Sequence, residues 1–222
     1  SWTEVADLST GRTELSGAGP SNTLALAMGG YINSYNSCVE EYDGSVWATA
    51  TAMPVSRGLG FTGGTQNAAY FAGGAPASNC GIEYDGSSWT AGGNLITARF
   101  GGDSSVGTQN AGFAATGYSS GGVNVPSTEE YNGTSWSSQN ELITAARYAA
   151  TTGTQNAALK YGGYSNSQET ATEEYDGTSW SSGGALITAT YGNTGAGSQN
   201  AGFNAGGTSN PSSDFKTGVE LY

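Results

Sequence analysis

Aromatic residues recur at fixed places among small and polar ones along this 222-residue chain. All five tryptophans, Trp2, Trp47, Trp89, Trp136 and Trp180, are separated by 45, 42, 47 and 44 residues. Four of them close the same phrase, Glu-Tyr-Asp-Gly or Glu-Tyr-Asn-Gly, carried by Glu41-Tyr42-Asp43-Gly44, Glu83-Tyr84-Asp85-Gly86, Glu130-Tyr131-Asn132-Gly133 and Glu174-Tyr175-Asp176-Gly177. A fifth copy is divided between Val219-Glu220-Leu221-Tyr222 and Ser1-Trp2. Ahead of each phrase comes an arginine (Arg12, Arg57, Arg99, Arg147; Thr190 in the fifth unit) and then a run of small residues. A turn follows, at Gln66-Asn67, Gln109-Asn110, Gln155-Asn156 and Gln199-Asn200, with Ser21-Asn22-Thr23 in the first unit. The second run ends in glycine pairs at 29–30, 73–74, 162–163 and 206–207, with Thr116-Gly117 in the third unit.

This order predicts four short antiparallel strands per unit. The Gln-Asn turn joins the first two strands, and the Asp-Gly or Asn-Gly turn joins the last two. Positive φ at both central residues suits the latter pair. A strand-type repeat with a period in the forties is the signature of propeller blades. The chain is expected to be one all-β domain over 1–222, a five-bladed β-propeller with four antiparallel strands per blade. The units run at about 6–49, 50–91, 92–138, 139–182, and 183–222 plus 1–5. Residues Ser1 to Val5 are expected to supply the last blade's fourth strand, closing the ring and removing an exposed sheet edge.

The order Arg, Gly-Gly, Tyr-Asp, Trp resembles the kelch repeat. The second unit is nearest, with Arg57, Gly73-Gly74, Tyr84-Asp85 and Trp89. Tyrosine and tryptophan stand five apart, closer than usual in kelch units, and five blades is fewer than the usual six or seven. The phrasing is also similar to kelch-like proteins of phage and marine viruses, which implies a virion or other extracellular surface. The Asp-box of sialidases is a rival reading. There a spacer separates Asp from Gly, whereas here they are adjacent and the glycine pairs favour kelch.

Composition narrows the function. The net charge is −12, with six basic residues, so nucleic acid is not an expected partner. No apolar run is long enough for a membrane span, so membrane insertion is not expected and a soluble domain is. The chain has no histidine, which removes Ser-His and zinc schemes, and the paired carboxylates on one strand point to opposite faces. We therefore expect no catalytic residues, no metal and no cofactor. Cys38 and Cys80 hold equivalent places in neighbouring units. A ring geometry separates such places by about 18 Å, against a limit of about 7 Å between bridged Cα atoms, so two free thiols are expected.

The expected activity is non-enzymatic binding of another protein. The alternative is a multivalent lectin binding glycans at one site per blade. Length variation concentrates in the loops between second and third strands, at 31–39, 75–79, 118–128, 164–172 and 208–217. These share one face with the blade-to-blade connections, and binding residues sit on variable loops held by a rigid scaffold. The candidate contacts are Tyr31, Tyr35, Asn79, Tyr118, Asn124, Tyr164, Asn166, Asn210 and Phe215. Arginine and the glutamate before the repeat tyrosine vary together, both changing in the fifth unit to Thr190 and Leu221. Structural pairs are therefore expected between Arg12, Arg57, Arg99 and Arg147 and Glu41, Glu83, Glu130 and Glu174. The alternative is a ring of arginines binding an anion. The Gln-Asn amides are expected to bond to their own turns.

Overall fold

The computed structural model describes residues 3–209 and 214–222, and the backbone alone for 102–104. The architecture is an all-β five-bladed propeller built from small antiparallel sheets. Blade one comprises Ser16–Ser21, Leu24–Met28, Val39–Tyr42 and Trp47–Thr49. Blade two comprises Phe61–Thr65, Ala68–Ala72, Gly81–Tyr84 and Trp89–Ala91. In blade three the inner strand is interrupted, as Gly102–Ser105 and Gly107–Thr108, before Ala111–Ala115, Thr128–Tyr131 and Trp136–Gln139. Blade four comprises Ala149–Thr154, Ala157–Tyr161, Thr172–Tyr175 and Trp180–Ser182. Blade five has three strands among the described residues, Thr194–Ser198, Ala201–Ala205 and Val219–Leu221. The expected closing strand falls partly on Ser1 and Trp2, which lie outside the described residues; Thr3 to Val5 form no strand.

The blades stand face to face, so a third strand is covered on both sides. Glu129 and Tyr131 are buried and Glu130 half-buried, and blades one and four repeat that pattern. The core is therefore a series of layers between blades. Met28, Phe71 and Tyr84 fill the first; Phe61, Tyr70, Tyr131 and Trp136 the second; Phe113, Tyr175 and Trp180 the third. The fourth is smaller, formed by Ala150, Leu159 and Tyr161 with Leu186 packed against it. Beside it an open cleft of about 340 Å³ is lined by Leu159, Tyr161, Gly184 and Tyr222, with Leu221 84% exposed. Trp136 fills the matching place between blades two and three, against Tyr70, Gly93 and Tyr131.

Around the axis the inner strands meet directly. Gly102–Ser105 pairs in parallel with both Phe61–Thr65 and Ala149–Thr154. Small residues permit that approach: a Cβ on Gly63 would stand 2.5 Å from the Val106 carbonyl oxygen.

The Asp-Gly turns differ from expectation. Tyr42 pairs with Trp47, so four residues form the turn, and only its glycine has positive φ, at 94° for Gly44. The aspartate explains this. Asp43 Oδ1 accepts from the N–H groups of Ser45 and Val46, which fixes the turn without a left-handed residue before the glycine. Asp85 and Asp176 do the same, and Asn132 supplies the same oxygen in blade three.

Candidate functional site

Most of the repeated polar residues are engaged between blades. The glutamine of each Gln-Asn turn reaches back into the preceding blade rather than to its own turn. Gln109 Nε2 donates to the carbonyls of Ala69 and Tyr84, and Gln66, Gln155 and Gln199 do likewise one blade earlier or later. The glutamate before each repeat tyrosine faces forward. Glu41 accepts from Tyr84 Oη at 2.8 Å, Glu83 from Tyr131, Glu130 from Tyr175 and Glu174 from Tyr222. Burial pushes the Glu130 carboxyl up, offset in part by the Tyr175 bond.

The arginine pairing is thus one residue from where the sequence put it. Arg12 pairs with Glu40, not Glu41, and Arg99 with Glu129, not Glu130. Side chains alternate across a strand, so adjacent glutamates serve opposite neighbours. Burial alone would push Glu40 up, but hydrogen bonds from Arg12 and the Ser9 N–H outweigh it and hold the carboxyl below its usual range. Glu129 also accepts from the N–H groups of Ile96 and Thr97, tying down the segment that leads into its blade. Glu173 and Glu220 hold 143–144 and 187–188 in the same way. In blade two the glutamate is replaced by Ile82, and Pro54, which has no N–H, stands where Ile96 stands in the next unit. One of the two donors is lost with the acceptor, while Val55, at the place of Thr97, keeps its N–H. Arg57 stays buried there by donating to the carbonyls of Gly73 and Cys80, not to Glu83.

Blade four departs furthest. The N–H groups of Gly30, Gly74 and Gly163 donate to the carbonyls of Arg57, Arg99 and Thr190, and that of Gly117 donates to the carbonyl of Ala146. Ala146 therefore occupies the arginine position, and Arg147 comes one residue later. The buried Lys160 replaces the missing cation, 3.8 Å from Glu173, and burial lowers its pKa. Arg147 does not pair with Glu174. It projects instead onto the loop face, its guanidinium carbon 4.3 Å from the Tyr118 ring centre and 4.9 Å from that of Tyr164. Its Nη1 donates to Asn124 Oδ1 at 3.2 Å, and Asn124 Nδ2 donates to the carbonyls of Tyr164 and Ser165. A cleft of about 450 Å³ opens here, lined by Val123, Asn124, Arg147, Tyr164, Ser165 and Asn166 among others.

Next to this cleft a collar surrounds the axis. Five residues at equivalent places have positive φ: Glu14 (57°), Leu59 (53°), Gly101 (92°), Tyr148 (54°) and Gly192 (61°). Each N–H from Leu59 onward donates to the carbonyl of the one before it. Such φ values are rare for bulky residues and persist where surrounding structure enforces them, as this chain of bonds does. Tyr148 lies within electrostatic reach of Glu14, Tyr118 and Tyr191, and burial pushes its phenol up. Tyr164 meets Tyr191 edge-on at 5.4 Å.

The loop-face candidates thus fall into groups. Tyr118, Asn124, Tyr164 and Asn166 surround the Arg147 cleft. Tyr31 and Tyr35 pack edge to face at 5.3 Å on blade one, where Tyr35 donates to Glu14. Asn79 is exposed on blade two, its carbonyl holding Leu95 N–H. Phe215 is 79% exposed on blade five, and Asn210 lies outside the described residues. The sequence reading missed Arg147 as a loop-face residue. Its signal was a Trp-to-Arg spacing of 11 in blade four against 10 elsewhere. Both cysteines are free thiols, and among the described residues no cluster of His, Cys, Asp or Glu is arranged to hold a metal. No described helix is long and apolar enough to cross a membrane.

The sequence matches no protein-family model and no curated relative. Among solved structures, one titled "Structure of YjhT" is similar over 100% of this chain and 84% of its own, with a TM-score of 0.84 at 14% identity. At that identity the likeness carries the propeller fold alone.

Proposed function

We propose that this propeller is a non-enzymatic binding module that recognises another protein through its loop face, with contacts that differ from blade to blade. One observation carries the reading. The residues that repeat in nearly every blade, the glutamines, glutamates and tyrosines, are used up in holding blades together, whereas among the described residues no other blade places an arginine on the loop face against two tyrosine rings, as blade four places Arg147. A lectin with one equivalent site per blade would need repeated residues left free. The absence of histidine from the chain supports a non-catalytic role. The kelch-like order of Arg, Gly-Gly, Tyr-Asp and Trp belongs to the same reading, as does a place on a virion or other extracellular surface, which suits a chain of net charge −12.

The test is selection of peptides from a displayed library on immobilised protein, run beside a broad glycan array. Peptides should be enriched, and their binding should fall with Tyr164→Ala or Tyr31→Ala but not with Asp43→Asn on the opposite face. Glycan binding at five sugars per chain, or selected peptides indifferent to the loop-face changes, would overturn the reading.

A further inference from the structure

We infer that the Arg147 cleft is a carboxylate-binding site that receives an Asp or Glu side chain of the protein partner. This rests on the protein-binding reading above. The chain has six basic residues. Arg12, Arg99, Lys160 and Lys216 pair with carboxylates, and Arg57 is buried against backbone carbonyls. Arg147 is the remaining cation. Among the described residues its ion partners number none, whereas glutamates pair with the buried cations of blades one, three and four.

Its surroundings prepare it for a planar anion. The guanidinium carbon stands 4.3 Å and 4.9 Å from the ring centres of Tyr118 and Tyr164, and Asn124 fixes one terminal nitrogen by a hydrogen bond. Asn124 is itself anchored to the Tyr164 and Ser165 carbonyls, so the set is rigid before any ligand arrives. A guanidinium held this way presents its N–H groups as a fork that matches a carboxylate, and its rotamer cost is already met. The cleft holds about 450 Å³, room for one side chain and its flanking backbone. Charge selects the class of anion. A net charge of −12 opposes phosphates and polyanions, while one local cation suits one carboxylate.

The probe is N-acetyl-glutamate N-methylamide, titrated into ¹⁵N-labelled protein while the Arg147 Nε–H signal and loop amides are followed. The glutamine analogue, inorganic phosphate and sulfate are titrated alongside. The glutamate compound should move the Arg147 signal saturably. The loop amides should respond at least about tenfold more weakly to the glutamine analogue, and to the glutamate compound in Arg147→Gln, the scale for losing a charge-assisted hydrogen bond. Arg147→Lys should also bind weakly, since an ammonium keeps the charge but loses the fork and the stacking. Equal binding of the glutamine analogue, tighter binding of phosphate or sulfate, or an unchanged response in Arg147→Gln would overturn the inference. If the probe fails while selected peptides still bind the loop face, the carboxylate assignment falls and the protein-binding reading stands. If the probe binds but no peptide is selected, the protein-binding reading falls instead.

Discussion

Replacing Glu129 by isoleucine gives blade three the residue that blade two carries at Ile82. Glu129 is 1% exposed and accepts from Arg99 and from the N–H groups of Ile96 and Thr97. Its loss leaves Arg99 buried with only the carbonyls of Thr97, Ala114 and Thr116. Breaking a buried pair in this way costs about 3–5 kcal/mol, and each orphaned N–H adds about 1–3 kcal/mol where water cannot reach it. Against a typical total stability of about 5–15 kcal/mol, Glu129→Ile should be among the most damaging single changes. Blade two shows the compensation, since Pro54 removes one of the two donors that Ile82 cannot satisfy. Adding Ile96→Pro to Glu129→Ile should therefore recover about 1–2 kcal/mol relative to the sum of the two single changes. Urea unfolding followed by tryptophan fluorescence measures all three variants. Additivity within about 0.5 kcal/mol would refute the claim that this donor and the acceptor were lost together for a physical reason.

Other outcomes follow from the same contacts. Gln109→Ala removes two hydrogen bonds to the carbonyls of Ala69 and Tyr84; it should cost about 1–3 kcal/mol and speed amide exchange where blades two and three meet. Lys160→Ala leaves Glu173 buried without its cation and should cost about 3–5 kcal/mol, while Lys160→Ala with Ala146→Arg copies blade three and should restore most of it in the same unfolding assay. Hydrogen bonds from Val46 and Ser45 hold the Asp43 carboxyl below its usual range, those from Ser88 and Ser87 do so for Asp85, and those from Ser179 and Thr178 for Asp176. Their folded pKa values lie below the unfolded value near about 3.9, so their contribution is present above that pH and is lost as pH falls through the folded values. The triple variant Asp43→Asn, Asp85→Asn, Asp176→Asn should keep the turns, as Asn132 does, and show a shallower fall in Tm between pH 5 and about pH 2. An unchanged slope would count against it.

The blade count and strand order were legible because aromatic spacing reports the repeat directly. The loop face was legible from length variation, and the bridges from Thr13 to Tyr31 and from Arg147 to Tyr164 place those loops beside the blade connections. Partners across blades were harder. Glu40 and Glu41 are adjacent and both acidic, and only the stacking of blades decides which is buried against the arginine and which meets the next tyrosine. The glutamines gave no local sign that their acceptors lie about 24 and 40 residues away. The shift at Arg147 was visible as a Trp-to-Arg spacing of 11, but its meaning required knowing that Ala146 holds the buried place.

The joint between blades five and one is built differently from the other four. Asn22 stands where the later blades have their stapling glutamine, Leu221 stands where the earlier blades have the tyrosine's acceptor, and a cavity of about 350 Å³ separates Thr194 and Gly195 from Gly17 and Ala18. A ring of five rigid joints must turn through a full circle with no freedom to spare, and a small angular misfit at each joint would add up. One slack joint absorbs the sum. Four interfaces can then keep the angle their hydrogen bonds prefer, and the misfit collects on the far side of the ring from the Arg147 cleft rather than beside it.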